Sequence, residues 1–271
     1  MRINTNINSM RTQEYMRQNQ EKMNTAMNRL SSGKSINSAA DDAAGLAIAT
    51  RMRAKEGGLN VASRNSQDGK SMIQTADSAL NTVSNILLRM RDLAVQSANG
   101  TNDTSDHTAL QKEFKELAGQ IDYISANTSF NGTKLLNTAT TVNIKSTDAS
   151  GADTIDISLI AVTASTLGVS AADAIANKSN ADSVIGTIDA AINSIADHRA
   201  TLGATLNRLD YNIENLNNQA TAMSASASQI EDADMAKEMS EMTKFKILSE
   251  AGVSMLSQAN QTPQMVSKLL Q

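Results

Sequence analysis

Residues 188–230 read IDAAINSIADHRATLGATLNRLDYNIENLNNQATAMSASASQI. Steps of three and four pick out Ile188, Ile192, Ile195, Arg199, Leu202, Leu206, Leu209, Ile213, Leu216, Ala220, Met223, Ala227 and Ile230. Arg199 alone departs from the apolar rule. A 3-4 spacing held this long describes an α-helix with a narrow apolar seam, the pattern of a coiled coil. The stretch has no Pro, and Gly203 is its one Gly. At about 1.5 Å per residue the helix would be roughly 65 Å long. A bare seam of this kind needs a partner, because isolated helices draw little stability from propensity alone. Arg199 is either ion-paired with a neighbouring helix or marks a place where the seam opens.

The composition argues against a thick globular core. Aromatics make up 2% of the 271 residues, and Trp is absent. Leu, Ile, Ala and 14 Met stand in their place, which suits long thin bundles. A single Pro fits long uninterrupted helices. The net charge of −4 suggests neither nucleic acid nor an anionic membrane as partner. Without cysteine there are no disulfides and no thiolate metal sites. No stretch approaches the roughly 18 apolar residues of a membrane span. The opening Met1-Arg2-Ile3-Asn4-Thr5-Asn6 carries no apolar signal core, so export by a cleaved secretory signal is not expected.

Residues 3 to 31 read as an amphipathic helix. Ile3, Ile7 and Met10 mark its stripe, which Met16, Met23, Met27 and Leu30 continue after a slip in register. Ser31 to Ser35 is a break. A short helix from about Ala39 to Lys55 follows, with Ser38 and Asp41 resembling a capping box, and Gly57-Gly58 is expected to stop it. A second seam starts at Leu59 and runs Ala62, Ser66, Gly69, Ile73, Ala76, Leu80, Val83, Leu87, Met90, Ala94, Ser97. Its first part is small and polar, so apolar packing is expected from Ile73 onward. Thr104, Ser105 and Asp106 offer a cap for a third seam, Leu110, Phe114, Leu117, Ile121, Ile124, and Asn131-Gly132 makes a turn.

From 138 to 180 Thr, Ser, Ala, Asn and Asp dominate. Val142 and Ile144, then Ile155, Ile157 and Leu159, alternate with polar residues, which predicts a β-hairpin with part of the region disordered. The last helix, Glu231 to Gln271, has the stripe Met235, Met239, Met242, Phe245, Leu248, Val253, Leu256. Pro263 is expected to interrupt it before the apolar end Met265, Val266, Leu269, Leu270.

The organisation is nested, and the fold class is mainly α: an elongated coiled-coil bundle with paired N- and C-terminal helices and a small mid-chain β-hairpin. Three regions follow: a terminal helical domain (1–35 with 232–271), a helical bundle (36–137 with 181–231) and an outward-facing variable region (138–180). Two terminal helices with thin Met-rich stripes bury too little to offset ordering costs of about 1–2 kcal/mol per residue. Copies packed about a common axis would cover every stripe, and contacts that do not close a ring give an open helical filament. Ile3, Ile7, Met10, Met239, Met242, Leu248, Leu256 and Leu269 are the expected packing residues of that polymer core.

Several blocks resemble bacterial flagellin. They are Arg2-Ile3-Asn4-Thr5-Asn6, RLSSGKSINSAADDAAGLAIATRMRA (Arg29–Ala54), LLRMRDLAVQSANGTND (Leu87–Asp103), FNGTKLL (Phe130–Leu136), LGATLNRLDYNIENL (Leu202–Leu216) and SMLSQANQTPQMVSKLL (Ser254–Leu270). The likeness covers roughly 1–137 and 180–271. It departs at Lys34-Ser35, where an apolar-Arg pair is common, and at Lys268 and Gln271 in the usually apolar tail. The resemblance implies a short flagellin without large outer domains, an extracellular subunit of the motility filament. It implies export by the flagellar type III apparatus, homo-polymerisation, an export chaperone on about Ile230 to Leu270, and contact with the filament cap and hook-junction proteins. It also implies recognition by the innate sensor Toll-like receptor 5 through Arg89, Leu93 and Glu113, which double as a subunit-contact surface. The alternative within the same apparatus is the hook–filament junction protein. A soluble coiled-coil adaptor is the rival from another class, and it predicts ordered termini in the monomer, whereas the flagellin reading predicts disordered ones.

No catalytic, cofactor or metal constellation accompanies these blocks, so an enzyme is not expected. Asp41-Asp42 reads as a helix start rather than a metal pair. His107 and His198 stand alone and read as solvated. There is no H-E-x-x-H and no Gly-rich phosphate loop.

Overall fold

The computed structural model describes residues 6–149, 151, 153–170 and 174–269, with side chains as far as residue 261. In chain order the elements are α1 (Ile7–Ser32), α2 (Ala43–Ser97), α3 (Thr104–Asn127), β1 (Ser129–Phe130), β2 (Thr133–Lys134), β3 (Thr140–Lys145), β4 (Thr154–Leu159), α4 (Lys178–Glu231) and α5 (Met235–Leu269). The mainly α class with a mid-chain hairpin is what the sequence predicts. The chain forms two compact units, residues 1–56 with 221–271 and residues 57–220. Their boundaries fall inside α2 and α4, not at the 35/36 and 231/232 breaks expected from turn residues. The 138–180 region belongs to the second unit.

In the 57–220 unit, α2 and α4 run antiparallel. Their register is marked by Ser63 Oγ on Asn217 Oδ1 at 3.0 Å, Lys70 Nζ on Asp210 at 2.6 Å, and Arg91 Nε on Asp189 at 2.6 Å. The α4 seam is buried or half-buried at every position from Ile188 to Ile230. Arg199 resolves to an ion pair: its Nε donates to Asp77 at 2.7 Å and its Nη1 to Asn81 at 3.0 Å. The α2 seam is buried from its first residue, Leu59, through Ser97. Packing therefore begins earlier than Ile73. The small residues are covered because α4 and the hairpin approach closely there. Asn212 Nδ2 reaches Ser66 Oγ and the Ser146 carbonyl, both at 3.2 Å, and a Cβ on Gly69 would stand 3.0 Å from Ile144 Cγ1.

Gly57-Gly58 does not stop the helix; α2 runs through as 55 residues. Each interior Gly costs about 1 kcal/mol against Ala, which two long buried flanks outweigh. At Gly58 the missing side chain has a use: a Cβ would meet Asp148 Oδ1 at 1.7 Å. The cap of α2 is Asp42, whose Oδ1 accepts from Ala44 N and Gly45 N at 3.0 Å. Asp41 instead closes the preceding turn, accepting from Asn37 N and from Ser38 N and Oγ. Those bonds, the Ser38 amide foremost, hold its carboxyl below the usual range. For α3 the cap is Asp103, in a capping box with Asp106, one residue before the expected cap.

The β3–β4 hairpin has the expected alternation, with Val142 opposite Ile157 and Ile144 opposite Ile155. A second, two-residue hairpin pairs β1 with β2 through Asn131 (φ 47°) and Gly132 (φ 81°), the left-handed pair that favours Asn-Gly. The described residues after β4 are packed rather than loose. Val162, Ala164, Val169 and Ile175 are buried. Side chains of α3 take up their backbone: Asp122 accepts from Ala164 N and Gln111 from Ile175 N, each at 2.8 Å. Ser97 Oγ donates to the Ile175 carbonyl at 2.7 Å and also meets His107 Nδ1 at 2.7 Å. His107 is thus a half-buried bonded residue, not a solvated one.

Candidate functional site

Within the unit formed by residues 1–56 and 221–271, α1 and α5 pair antiparallel. The face that α1 turns to α5 is Ser9, Thr12, Met16, Asn19, Met23, Ala26 and Leu30, a 3-4 seam without a slip. On α5 the facing positions are Glu238, Met242, Phe245, Ser249, Gly252, Leu256 and Ala259. Gly252 lets Met16 in, since a Cβ there would stand 2.8 Å from Met16 Cγ. Lys22 Nζ lies 5.6 Å from the Phe245 ring centroid, a cation–π tie between the two helices.

This seam mixes Ser, Thr, Asn and Gly with Met16, Met23, Leu30, Met242, Phe245 and Leu256, and it separates the eight expected packing residues. Met242 and Leu256 lie in it. Ile7, Met10, Met239 and Leu248 point outward, exposed by 53%, 61%, 54% and 41%. Met27, Met235, Ile247, Val253 and Met255 share that exposure. Ile3 and the side chain of Leu269 lie outside the described residues. Ile7 and Met10 are therefore not on the face that holds the pair together; Met16, Met23 and Leu30 are, with Ser9, Thr12 and Asn19, which an apolar count passes over.

At the head of the pair, Gly33 ends α1 in the left-handed conformation (φ 72°), with its N–H on the Arg29 carbonyl. Ala233 N donates to the Gly33 carbonyl at 2.9 Å, and Ser35 N to the Glu231 carbonyl at 2.7 Å. The Glu231 side chain is buried, accepting from Lys34 Nζ and from Arg53 Nε at 2.6 Å. These two cations, Lys34 first, hold its carboxyl below the usual carboxylate range. Lys34-Ser35, where the sequence departs from the usual apolar-Arg pair, thus has partners of its own. The Arg29–Glu238 pair is looser. Its closest approach is 3.5 Å, and Arg29 Nε and Glu238 Oε2 are buried without hydrogen-bond partners.

Arg89 and Glu113 come together across α2 and α3. Arg89 Nε and Nη2 both donate to Glu113 Oε1, at 2.8 and 2.7 Å, and both side chains are about half exposed. Leu93 does not share their face. It is 1% exposed and belongs to the core with Leu87, Met90 and Phe114. Its place one turn from Arg89 suggests a common face, but the buried arc on this part of α2 is broad enough to take in Leu93 beside the seam.

Among the described residues no cluster of three or more His, Cys, Asp or Glu could hold a metal ion, and no helix is long and apolar enough to cross a membrane. The chemistry on offer is association: an exposed apolar helix pair and an exposed ion pair.

Residues 3–141 match the bacterial flagellin N-terminal helical region, and residues 185–270 match the bacterial flagellin C-terminal helical region. Over 100% of its length the chain is 49% identical to the flagellin of Listeria innocua serovar 6a, covering 99% of that protein. It is 46% identical to the flagellin of Halalkalibacterium halodurans and 43% identical to that of Bacillus subtilis, with both chains covered in full. A crystal structure of Bacillus cereus flagellin is similar over 60% of this chain and 94% of that one, at 42% identity and a TM-score of 0.49.

Proposed function

This chain belongs to the bacterial flagellin family, the structural proteins of the extracellular flagellar filament, and on that premise we propose how its own residues serve the polymer. The reading rests on one observation: α1 and α5 pair through a thin, Met-rich seam and leave Ile7, Met10, Met239, Leu248, Val253 and Met255 exposed. Exposed apolar side chains gathered on one helix pair in this number point to association. Neighbouring copies cover it in the filament, with Met242 and Leu256 holding each pair and Ile3 and Leu269 extending the same packing toward the chain ends. Electron microscopy of the purified chain after seeding or salting-out tests this, beside a copy lacking residues 1–32 and 235–271. Filaments from both chains, or from neither, would refute the assignment of polymer packing to these helices.

The same family premise supports export through the flagellar type III apparatus, with a chaperone on about Ile230 to Leu270. The apolar positions of α5 that lie exposed in the free chain are the ones such a chaperone would shield. It also supports contacts with the filament cap and the hook-junction proteins at the two ends of the polymer. Toll-like receptor 5 recognises the exposed Arg89–Glu113 pair, whereas Leu93 acts from beneath by holding the α2 surface in place. An Arg89→Ala protein that signals with unchanged potency would refute that recognition.

A further inference from the structure

The one proline of the chain lies inside α5, which continues through it to Leu269. Proline has no backbone N–H. The helical partner of residue 263 would be the carbonyl of residue 259, so Pro263 leaves the Ala259 carbonyl without its i+4 donor. That carbonyl is not left bare. Asn6 Nδ2 donates to it at 2.9 Å, while the other end of the same amide, Oδ1, caps α1 by accepting from Ser9 N at 3.2 Å. One side chain thus starts α1 and fills the gap in α5.

We propose that Pro263 is the register mark of the terminal helix pair and that Asn6 is the residue that reads it. The seam itself carries one steric mark, Met16 against Gly252, and loose ties at Lys22–Phe245 and Arg29–Glu238, to which a directional hydrogen bond adds. Ser9, Thr12, Met16, Asn19 and Met23 face Met242, Phe245, Ser249, Gly252 and Leu256. A slip of one heptad that set Thr12 against Ser249 would carry Met16 from Gly252 onto Phe245, while the Met side chains elsewhere adapt to what they meet. A single polar contact at a defined position is an established way to fix register in coiled coils. Elsewhere along α5 the interior carbonyls are engaged by their own helix, so the side of α5 offers a free acceptor at the position four residues before proline. Asn6 reaches it only when α1 and α5 stand in this register.

The inference rests on the filament reading only for its consequence, one fixed arrangement of the exposed apolar side chains for neighbouring copies to meet. Because the chain has no cysteine, introduced pairs report register directly. Thr12→Cys with Leu256→Cys lies one turn from the Met16–Gly252 contact and reads the observed register. Thr12→Cys with Ser249→Cys reads a one-heptad slip. Disulfide yields are compared in solution and in pelleted polymer, in the parent, Asn6→Asp, Pro263→Ala and double-variant backgrounds. Asn6→Asp keeps the cap on Ser9 and loses the donor to Ala259; Pro263→Ala returns an N–H to that carbonyl. The in-register preference is expected to fall about fivefold in each single variant, the worth of one hydrogen bond, and no further in the double variant. No preference in the parent in either state would overturn the proposal. So would an Asn6→Asp ratio equal to the parent's, or a double variant falling by the product of the single effects. Absence of polymer would count against the filament reading alone, since the ratio in solution still reads the register.

Discussion

Replacing Glu231 by Gln tests the joint between the end of α4 and the 33–35 turn. The side chain is buried, and its two oxygens accept from Lys34 Nζ and Arg53 Nε. A hydrogen bond to a charged group contributes about 1.5–3 kcal/mol and a neutral one about 0.5–1.5. Gln keeps one acceptor and loses the charge, so the two bonds together weaken by about 2–3 kcal/mol. Lys34 and Arg53 are 42% and 46% exposed and recover water, which reduces the loss to about 1–2 kcal/mol. The amides that report it are Ser35 N on the Glu231 carbonyl and Ala233 N on the Gly33 carbonyl. Their hydrogen-exchange protection at pH 7 should fall about tenfold if the joint opens locally. The sign with pH follows from the carboxyl's depressed pKa. Its contribution is complete above the unfolded value of 4.5 and fades as pH drops through the lower folded value. The gap between parent and Glu231→Gln should therefore narrow in acid below that point. Equal protection at pH 7, or a gap that persists unchanged at strongly acid pH, would refute the reasoning.

Gly57→Ala meets no atom within 4 Å and should raise thermal stability by about 1 kcal/mol. In contrast, Gly45→Ala places its Cβ 2.5 Å from the Asp42 carboxylate and 2.8 Å from Ile36 Cδ1, so loss of the cap should lower stability by about 1 kcal/mol; equal effects in denaturant titrations would contradict both. Leu93→Ala should cost about 2–4 kcal/mol as a core truncation, with any loss of receptor signalling tracking the unfolded fraction. A folded Leu93→Ala protein with normal stability and no signal would show that Leu93 touches the receptor directly. Ser97→Ala leaves the Ile175 carbonyl without its 2.7 Å donor and should cost about 1–2 kcal/mol in urea unfolding; no measurable change would show that water takes the place of the hydroxyl.

Long-range order along the helices was legible because it is periodic. The α4 and α2 seams repeat every three and four residues, and each position falls on the buried side. The β3–β4 hairpin was legible for the same reason at period two. Local punctuation misled. Gly57-Gly58 and Pro263 both read as breaks, yet α2 and α5 continue through them. In the one case buried flanks outweigh a small propensity cost, and in the other Asn6, far away in sequence, supplies the missing partner. The residues after β4 show no periodicity in the sequence because their order comes from acceptors on α3, Asp122 and Gln111, and from the Ser97 hydroxyl on α2.

The candidate site divides the same way. The family resemblance, not spacing, named Arg89, Leu93 and Glu113 together; Arg89 and Glu113 are ion-paired across α2 and α3, and Leu93 is buried. Sequence found Met-rich terminal stripes, but not which face each helix turns to its mate. By itself the sequence determined the helical class, the seams, the hairpin and the family, because these depend on spacing along one chain. Only the tertiary structure decided that α1 meets α5 through Ser9, Thr12 and Asn19, that the more apolar Ile7 and Met10 stay free, and that Glu231 gathers Lys34 and Arg53. Those outcomes depend on which surfaces fit at close approach, and a pattern of residue types does not carry the shape of the partner.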